Sequence, residues 1–298
     1  KTAYEIPKRD WSSDVCSSDL RRRELPAPRP VSRVRDDGDA GCAMTASFRI
    51  TRDVITAQGK DARTFLHSQL SNDIAGLAVG TSRYAFALEP TGKIAALLRV
   101  RCIADDHFVL DVDAGCGEVA LTRLNKFKIR VACDFALESR EVVALRGLSA
   151  TERDAALLRD GAVAAWRETD GAVDVFAAAS AEAGTLEDFH RERLRCGWPI
   201  FGVDIDADTL PAESGLTDVC VSFTKGCYPG QELVERMDSR GSTAPRRLMR
   251  LPSPAVAGSP YCLADGTAIG LCTSVAGEFS LVMVQRSHLS VAEQLARS

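Results

Sequence analysis

Apolar positions along the chain fall into short strand-like runs broken by stretches of helical spacing. Residues 50–57 read as a strand. Asp61 can then cap a helix, because Phe65, Leu66, Leu70, Ile74 and Leu77 recur on one face up to a stop at Gly80. Residues 84–88 and 94–103 are two strands joined through Pro90-Thr91-Gly92, which is a hairpin. A third strand, 108–112, leads into a helix over 113–127 with Leu121, Leu124 and Phe127 on one face. Further strands are expected at 129–132, 142–145, 162–167 and 173–177, with helices near 150–159 and 186–196. Gly197 is placed to end the last of these helices. After Arg246 the texture changes to short strands at 248–251, 268–273 and 279–285 separated by Gly and Pro, which fits a small β-barrel. The expected class is α+β.

A chain of 298 residues with ordinary apolar content can bury a substantial core and divide into more than one domain. Residues 1–43 stand apart, since they show neither helical nor strand periodicity and no apolar signal-like run. They are expected to be a disordered or non-native leader; residues 12–20 resemble translated adapter sequence, and Met44 is a plausible start. The whole chain carries a formal charge of −4. Nine of its 37 basic and eight of its 41 acidic residues lie in the leader, leaving 28 against 33, or −5, for the body. Such a balance speaks against nucleic acid or a membrane surface as partner, and no apolar run reaches the length of a membrane-spanning helix. The ten cysteines show no CxxC pair, so they read as reduced thiols of a cytoplasmic protein, mostly in the core.

One segment is not explained by packing alone. Lys225-Gly226-Cys227-Tyr228-Pro229-Gly230-Gln231-Glu232 runs into the short amphipathic pattern Leu233 to Met237, which puts a thiol in a tight loop before a helix. Unpaired N–H groups and a nearby Lys225 would favour the thiolate there. The plainer alternative makes Cys227 a small buried hydrophobe and the glycines turn residues. Gln231 and Glu232 could cap the helix, and Glu232 with Arg236 could form an i,i+4 pair worth about 0.3–0.5 kcal/mol. Tyr228 could be a packing anchor or a stacking face for a flat heterocycle.

The run KGCYPGQELVER resembles the signature of the YgfZ family of folate-binding proteins, relatives of the glycine cleavage T-protein, an aminomethyltransferase. The likeness extends upstream through Gly59-Lys60-Asp61-Ala62, Gln69-Leu70, Asn72-Asp73, Thr91-Gly92-Lys93-Ile94 and Leu210-Pro211-Ala212-Glu213. It implies two interleaved aminomethyltransferase-like folate-binding subdomains over residues 44–245, around a central hole, and a C-terminal β-barrel over 246–298. It also implies tetrahydrofolate as cofactor, with Phe189, Trp198 and Tyr228 against it. The role implied is assembly or repair of iron–sulfur proteins, whose machinery would be the partner. Cys227 and Lys225 would be the reactive pair, framed by Gly226, Tyr228, Gly230, Gln231, Glu232 and Arg236. Two alternatives stand beside this one: a folate-dependent aminomethyl transferase, and a folate-binding module with a structural cysteine.

Two departures from the T-protein bear on chemistry. Where that enzyme has an acidic pair after its glycine hairpin, this chain has Ala95-Ala96, which can neither accept a proton nor stabilise a cation. Aminomethyl transfer is therefore expected to be absent. Where the T-protein has a glutamate that receives the pterin's amino edge, this chain has Arg195, which offers donors only. Other motifs fail. Asp204, Asp206 and Asp208 imitate the start of a calcium loop, but Thr209 and Gly215 occupy the positions of its glycine and glutamate, so the acids read as solvated. His67, His107, His190 and His288 have no sequence-local partner, and no metal site is expected.

Overall fold

The computed structural model describes residues 46–176, 184–239, 244–253 and 255–297, so the expected leader lies outside the described residues. Along the chain come β1 (Ala46–Gln58), α1 (Ala62–Gln69), the hairpin β2 (Ser82–Leu88) and β3 (Ile94–Ala104), then β4 (His107–Asp113) and α2 (Gly117–Lys126). They are followed by β5 (Asp134–Arg146), α3 (Ala150–Leu157), β6 (Ala162–Ala164), β7 (Val173–Val175) and α4 (Leu186–Arg195). The short α5 (Thr217–Cys220) and α6 (Gln231–Ser239) precede the last strands, β8 (Arg246–Pro252), β9 (Pro260–Cys262), β10 (Ala268–Ala276) and β11 (Phe279–Gln285), and α7 (Leu289–Leu295) closes the series.

Seven strands form one antiparallel sheet in the order β2-β3-β4-β1-β5-β7-β6. Its spine is the pairing of β1 with β5, from Ala46 opposite Arg146 to Gln58 opposite Asp134. Both faces are covered, and β2 shows how the sequence achieves this with a period of two. Tyr84, Phe86 and Leu88 enter one core with Phe189, Trp198, Tyr228 and Val234. The small Ala85 and Ala87 point to the other, where α1 and α2 supply Phe65, Leu66, Ala120 and Leu124. Complete burial of a side chain such as Phe86 contributes about 1.5–3 kcal/mol.

The C-terminal strands expected as a barrel form a four-stranded antiparallel sheet in the order β8-β11-β10-β9. Leu248, Ala276, Leu281 and Met283 belong to the same apolar cluster as Phe189 and Trp198, so this sheet completes the core that also holds the aromatic residues.

Several sequence expectations need correction. The helix after Asp61 ends at Gln69, and Ile74 and Leu77 reach the core from irregular chain. Asp61 takes the N-cap position as expected, but its carboxylate makes no capping bond and accepts instead from the Ala132 amide at 2.8 Å. Residues 129–132 are not a strand: Ile129 is 76% exposed and Arg130 has φ +56°. The strand expected at 142–145 is the end of the much longer β5, and β9 and α7 were not anticipated. Gly197 ends α4 as expected, with φ +64°. Ala177, at the end of one expected strand, lies outside the described residues.

Candidate functional site

Two regions concentrate chemistry. The first is the thiol loop, whose stem is built on the turn that follows α1. The buried Ser71 accepts from the Ser222 amide through its carbonyl (3.0 Å), and its hydroxyl donates to Cys220 O (2.6 Å) while accepting from the Phe86 amide (2.8 Å). Asn72 Nδ2 donates both to Tyr84 O (2.8 Å) and to Val219 O (2.9 Å). The 219–222 segment is thereby fixed to β2 by buried polar bonds, which are costly to break singly.

Lys225 continues the seam. Its ammonium donates to the carbonyls of His67 and Leu70, the latter at 2.5 Å, and lies 4.9 Å from the centre of the Tyr228 ring. Carbonyls in the last turn of a helix lack intrahelical partners and carry the negative end of its dipole, so a cation suits them. Burial pushes the Lys225 pKa down to about 8, against the opposing pull of Asp73. His67 is lowered by burial and by Lys225, and its Nδ1 accepts from the amides of Ile74 (3.3 Å) and Ala75 (3.1 Å), so it does have partners. The ammonium expected near the thiol is thus held by the His67 and Leu70 carbonyls at the end of α1.

Cys227 itself is exposed, which excludes the buried-hydrophobe alternative. The next residue turns inward. Tyr228 is 6% exposed, its hydroxyl has no protein partner, and burial with the nearby Glu235 pushes its pKa up to about 12. Gln231, the first residue of α6, reaches back so that its Oε1 accepts from the Tyr228 amide at 3.3 Å. Glu232 and Arg236 are exposed and form no ion pair with each other, so the i,i+4 pair is absent. Gly230 is required by contact as well as by its φ of +82°: a Cβ there would stand 2.7 Å from Glu89 O and 2.9 Å from Gly92 Cα. Gly226 faces open space and no such requirement acts on it.

The second region is a cavity of about 370 Å³ between the large sheet and α4. Tyr84, Trp166, Phe189 and Trp198 give it flat apolar walls, with Tyr84 and Trp198 ring centres 4.6 Å apart. Trp166 holds φ +58°, an uncommon conformation for a bulky residue, and its amide donates to the Tyr84 hydroxyl at 3.1 Å. Arg49, Arg52, Arg146 and Arg193 bring cations, Asp113 and Asp174 carboxylates. The charges are cross-linked within the fold. Asp174 pairs with Arg146 at 2.7 Å and Arg99 at 2.9 Å, Arg99 and Arg52 share Asp111, Arg52 also holds Asp113, and Arg193 binds Asp204 at 2.6 Å. Burial alone would raise the Asp174 pKa, but Arg146, Arg99 and Arg52 outweigh it and hold it at about 2. Arg146 Nε is buried without a protein acceptor.

Of the sequence-derived ligand contacts, Phe189 and Trp198 line this cavity and Tyr228 does not. Cys227 and Lys225 also lie outside its lining. Arg195 is not among the residues lining this cavity, and its Nε donates to Glu192 at 2.9 Å. Ala95 and Ala96 are buried, and neither faces the cavity. Asp204 is 2% exposed and ion-paired, which corrects its reading as a solvated acid. No cluster of three metal-ligating side chains occurs among the described residues, and no helix there is long and apolar enough to cross a membrane. Sequence reasoning missed Tyr84, Trp166 and the arginine–aspartate network. The available signal was charge inside apolar strands, namely Arg99 in β3, Asp111 in β4 and Asp174 in β7.

Comparison with known proteins adds a lineage. No family model matches the chain. It is similar to the mitochondrial iron–sulfur cluster assembly factor IBA57 of Mus musculus, 38% identical over 103 residues, or 33% of this chain and 28% of that protein. It is also similar to the tRNA-modifying protein YgfZ of Edwardsiella ictaluri, 26% identical over 216 residues, or 63% of this chain and 65% of the relative. Each match spans less than two thirds of the relative's length. Among solved structures, the glycine cleavage system aminomethyltransferase T from Bartonella henselae superposes with a TM-score of 0.64 at 21% identity, over 82% of this chain and 79% of that one. The chain is thus similar to YgfZ and IBA57 over part of their length, and its fold is like that of the glycine cleavage system aminomethyltransferase T.

Proposed function

We propose that this protein supports the assembly or repair of iron–sulfur proteins through the thiol of Cys227, with tetrahydrofolate held in the aromatic cavity. The observation that carries the reading is an exposed free thiol on a loop whose stem is fixed by buried hydrogen bonds and whose far end is fixed by glycine contact. A surface thiolate can ligate iron in transit or exchange with another thiol. One cysteine cannot complete a four-thiolate cluster site, so cluster or iron would be cargo shared with a partner chain or an external thiol. The assembly factor among the relatives supports this role. Free cysteines throughout the described residues fit a reducing compartment, and a cytoplasmic location is part of the proposal.

The residues around the cavity fit a reduced folate. Trp166, Phe189, Trp198 and Tyr84 offer stacking faces, the orphaned Arg146 Nε offers a donor, and Arg49 stands exposed at the rim as a counter-charge for a carboxylate tail. Bound folate would supply a one-carbon carrier. Ala95 and Ala96 leave no acid or base at the transferase position, which weighs against aminomethyl transfer. An exposed Cys227 weighs against a purely structural cysteine.

The test is restoration of iron–sulfur enzyme activity in cells lacking the native protein. Cys227→Ala should fold with stability within about 0.5 kcal/mol of wild type, as an exposed substitution does, and restore nothing. Full restoration by that variant would end the thiol reading. Titration of tetrahydrofolate should give saturable quenching of tryptophan fluorescence, since two tryptophans line the cavity; a flat response would remove the ligand.

A further inference from the structure

A lysine two residues before a reactive cysteine invites the reading that its charge stabilises the thiolate. The geometry points elsewhere. We propose that Lys225 is a positioning residue: its ammonium clasps the C-terminal carbonyls of α1 and so fixes the stem of the Cys227 loop, and it is not the group that activates the sulfur. The inference matters biologically only if Cys227 is the working thiol, but the placement it describes does not depend on that reading.

Three observations converge. The ammonium donates to two backbone carbonyls, those of His67 and Leu70, which have no intrahelical donor of their own once α1 stops at Gln69. It acts in series with Ser71 and Asn72, whose side chains and carbonyl hold Val219, Cys220 and Ser222, so the chain from 219 to 225 is bonded at successive points to the chain from 67 to 72. The lysine also lies over the Tyr228 ring, which is buried in the main core and turns inward from the exposed cysteine. A cation held in this way is directed into the protein. Toward a sulfur in water it would act only through a high dielectric, where a unit charge even 4 Å away is worth about 1 kcal/mol. The groups that face the ammonium are the His67 and Leu70 carbonyls, the imidazole of His67, the carboxylate of Asp73 and the Tyr228 ring. The pKa lowered to about 8 by burial agrees with an amine removed from water to make these bonds.

The experiment compares wild type with Lys225→Met and Lys225→Arg in the full chain. Two quantities are read: the pH profile of iodoacetamide alkylation at Cys227, followed by mass spectrometry of the 227 peptide, and amide hydrogen exchange at Ser222. Lys225→Met should speed Ser222 exchange by roughly tenfold or more as the stem opens locally, and leave the midpoint of the alkylation profile in place. Lys225→Arg, which keeps cationic donors for the carbonyls, should return the protection. An upward move of the midpoint by about a unit would mean that the lysine acts on the thiolate, and would overturn the proposal. Unchanged Ser222 protection in Lys225→Met would overturn it too. If Lys225→Met does not fold, Lys225→Gln decides: a neutral donor should leave the midpoint where it is, and an upward move again sinks the idea. Neither measurement involves iron–sulfur enzymes, so failure here is separable from failure of the Cys227→Ala restoration test.

Discussion

The cavity and the thiol loop solve opposite problems with the same kinds of side chain. At the cavity, arginines and aspartates are taken out of water and must compensate one another, as Asp174 does for Arg146 and Arg99. At the loop, one lysine is matched with backbone carbonyls, and a thiol two residues on is left in water. The cavity is therefore a wall whose members stand or fall together, whereas the loop is a presented group on a stem of separable bonds. The lesson is that charge buried for architecture and charge near an exposed thiol look alike in sequence and differ only in what they face.

The largest effect should come from breaking the wall. Asp174→Ala leaves two buried guanidiniums short of a counter-charge and should cost about 3–5 kcal/mol in urea unfolding; a loss below about 1 kcal/mol would show that the arginines find other partners. Acid probes the same contact. The Asp174 pKa is about 2 in the folded chain against an ordinary 3.8, so the unfolded chain takes up the proton first. Its stabilisation, about 2 kcal/mol, is complete above pH 3.8 and lost as pH falls toward 2. Asp174→Asn should flatten that part of the stability profile.

On the loop side the effects are smaller and local. Gly230→Ala adds a methyl at φ +82° and 2.7 Å from Glu89 O, which should cost about 1–3 kcal/mol. It should also impair restoration of iron–sulfur enzymes more than stability alone explains. Gly92→Ala presses on Leu233 from the other side of the same contact, so the two changes should be non-additive in a double-mutant cycle. At the bottom of the scale, Glu232→Ala and Arg236→Ala remove exposed, mutually unpaired charges and should stay within about 0.5 kcal/mol of wild type. A loss of cell restoration without loss of stability in either would mark it as a partner contact.

Much of this architecture was legible in the apolar pattern, and the failures have physical causes. The β2–β3 hairpin and α4 with its Gly197 stop follow from local periodicity and turn chemistry. The spacing of Ile74 and Leu77 predicts a longer helix after Asp61 than the fold contains. The backbone in fact leaves the helix at Leu70, where Asn72 Oδ1 accepts from the Asp73 amide and Asp73 Oδ1 from the Gly76 amide, side-chain bonds that compete with helix. The thiol loop could be found because lysine, glycines and cysteine are dense there. The cavity wall could not, because Arg99 with Asp174 and Arg193 with Asp204 are joined by the fold and not by spacing.

The meeting of Gly92 with Gly230 has one more consequence. The missing carbon of Gly230 lets its backbone rest on Gly92, and the missing carbon of Gly92 leaves room for the Leu233 side chain, so the hairpin tip and the base of the thiol loop pack as one unit. How far the sulfur stands out toward whatever it meets is thus set, hydrogen by hydrogen, at a point that never touches it.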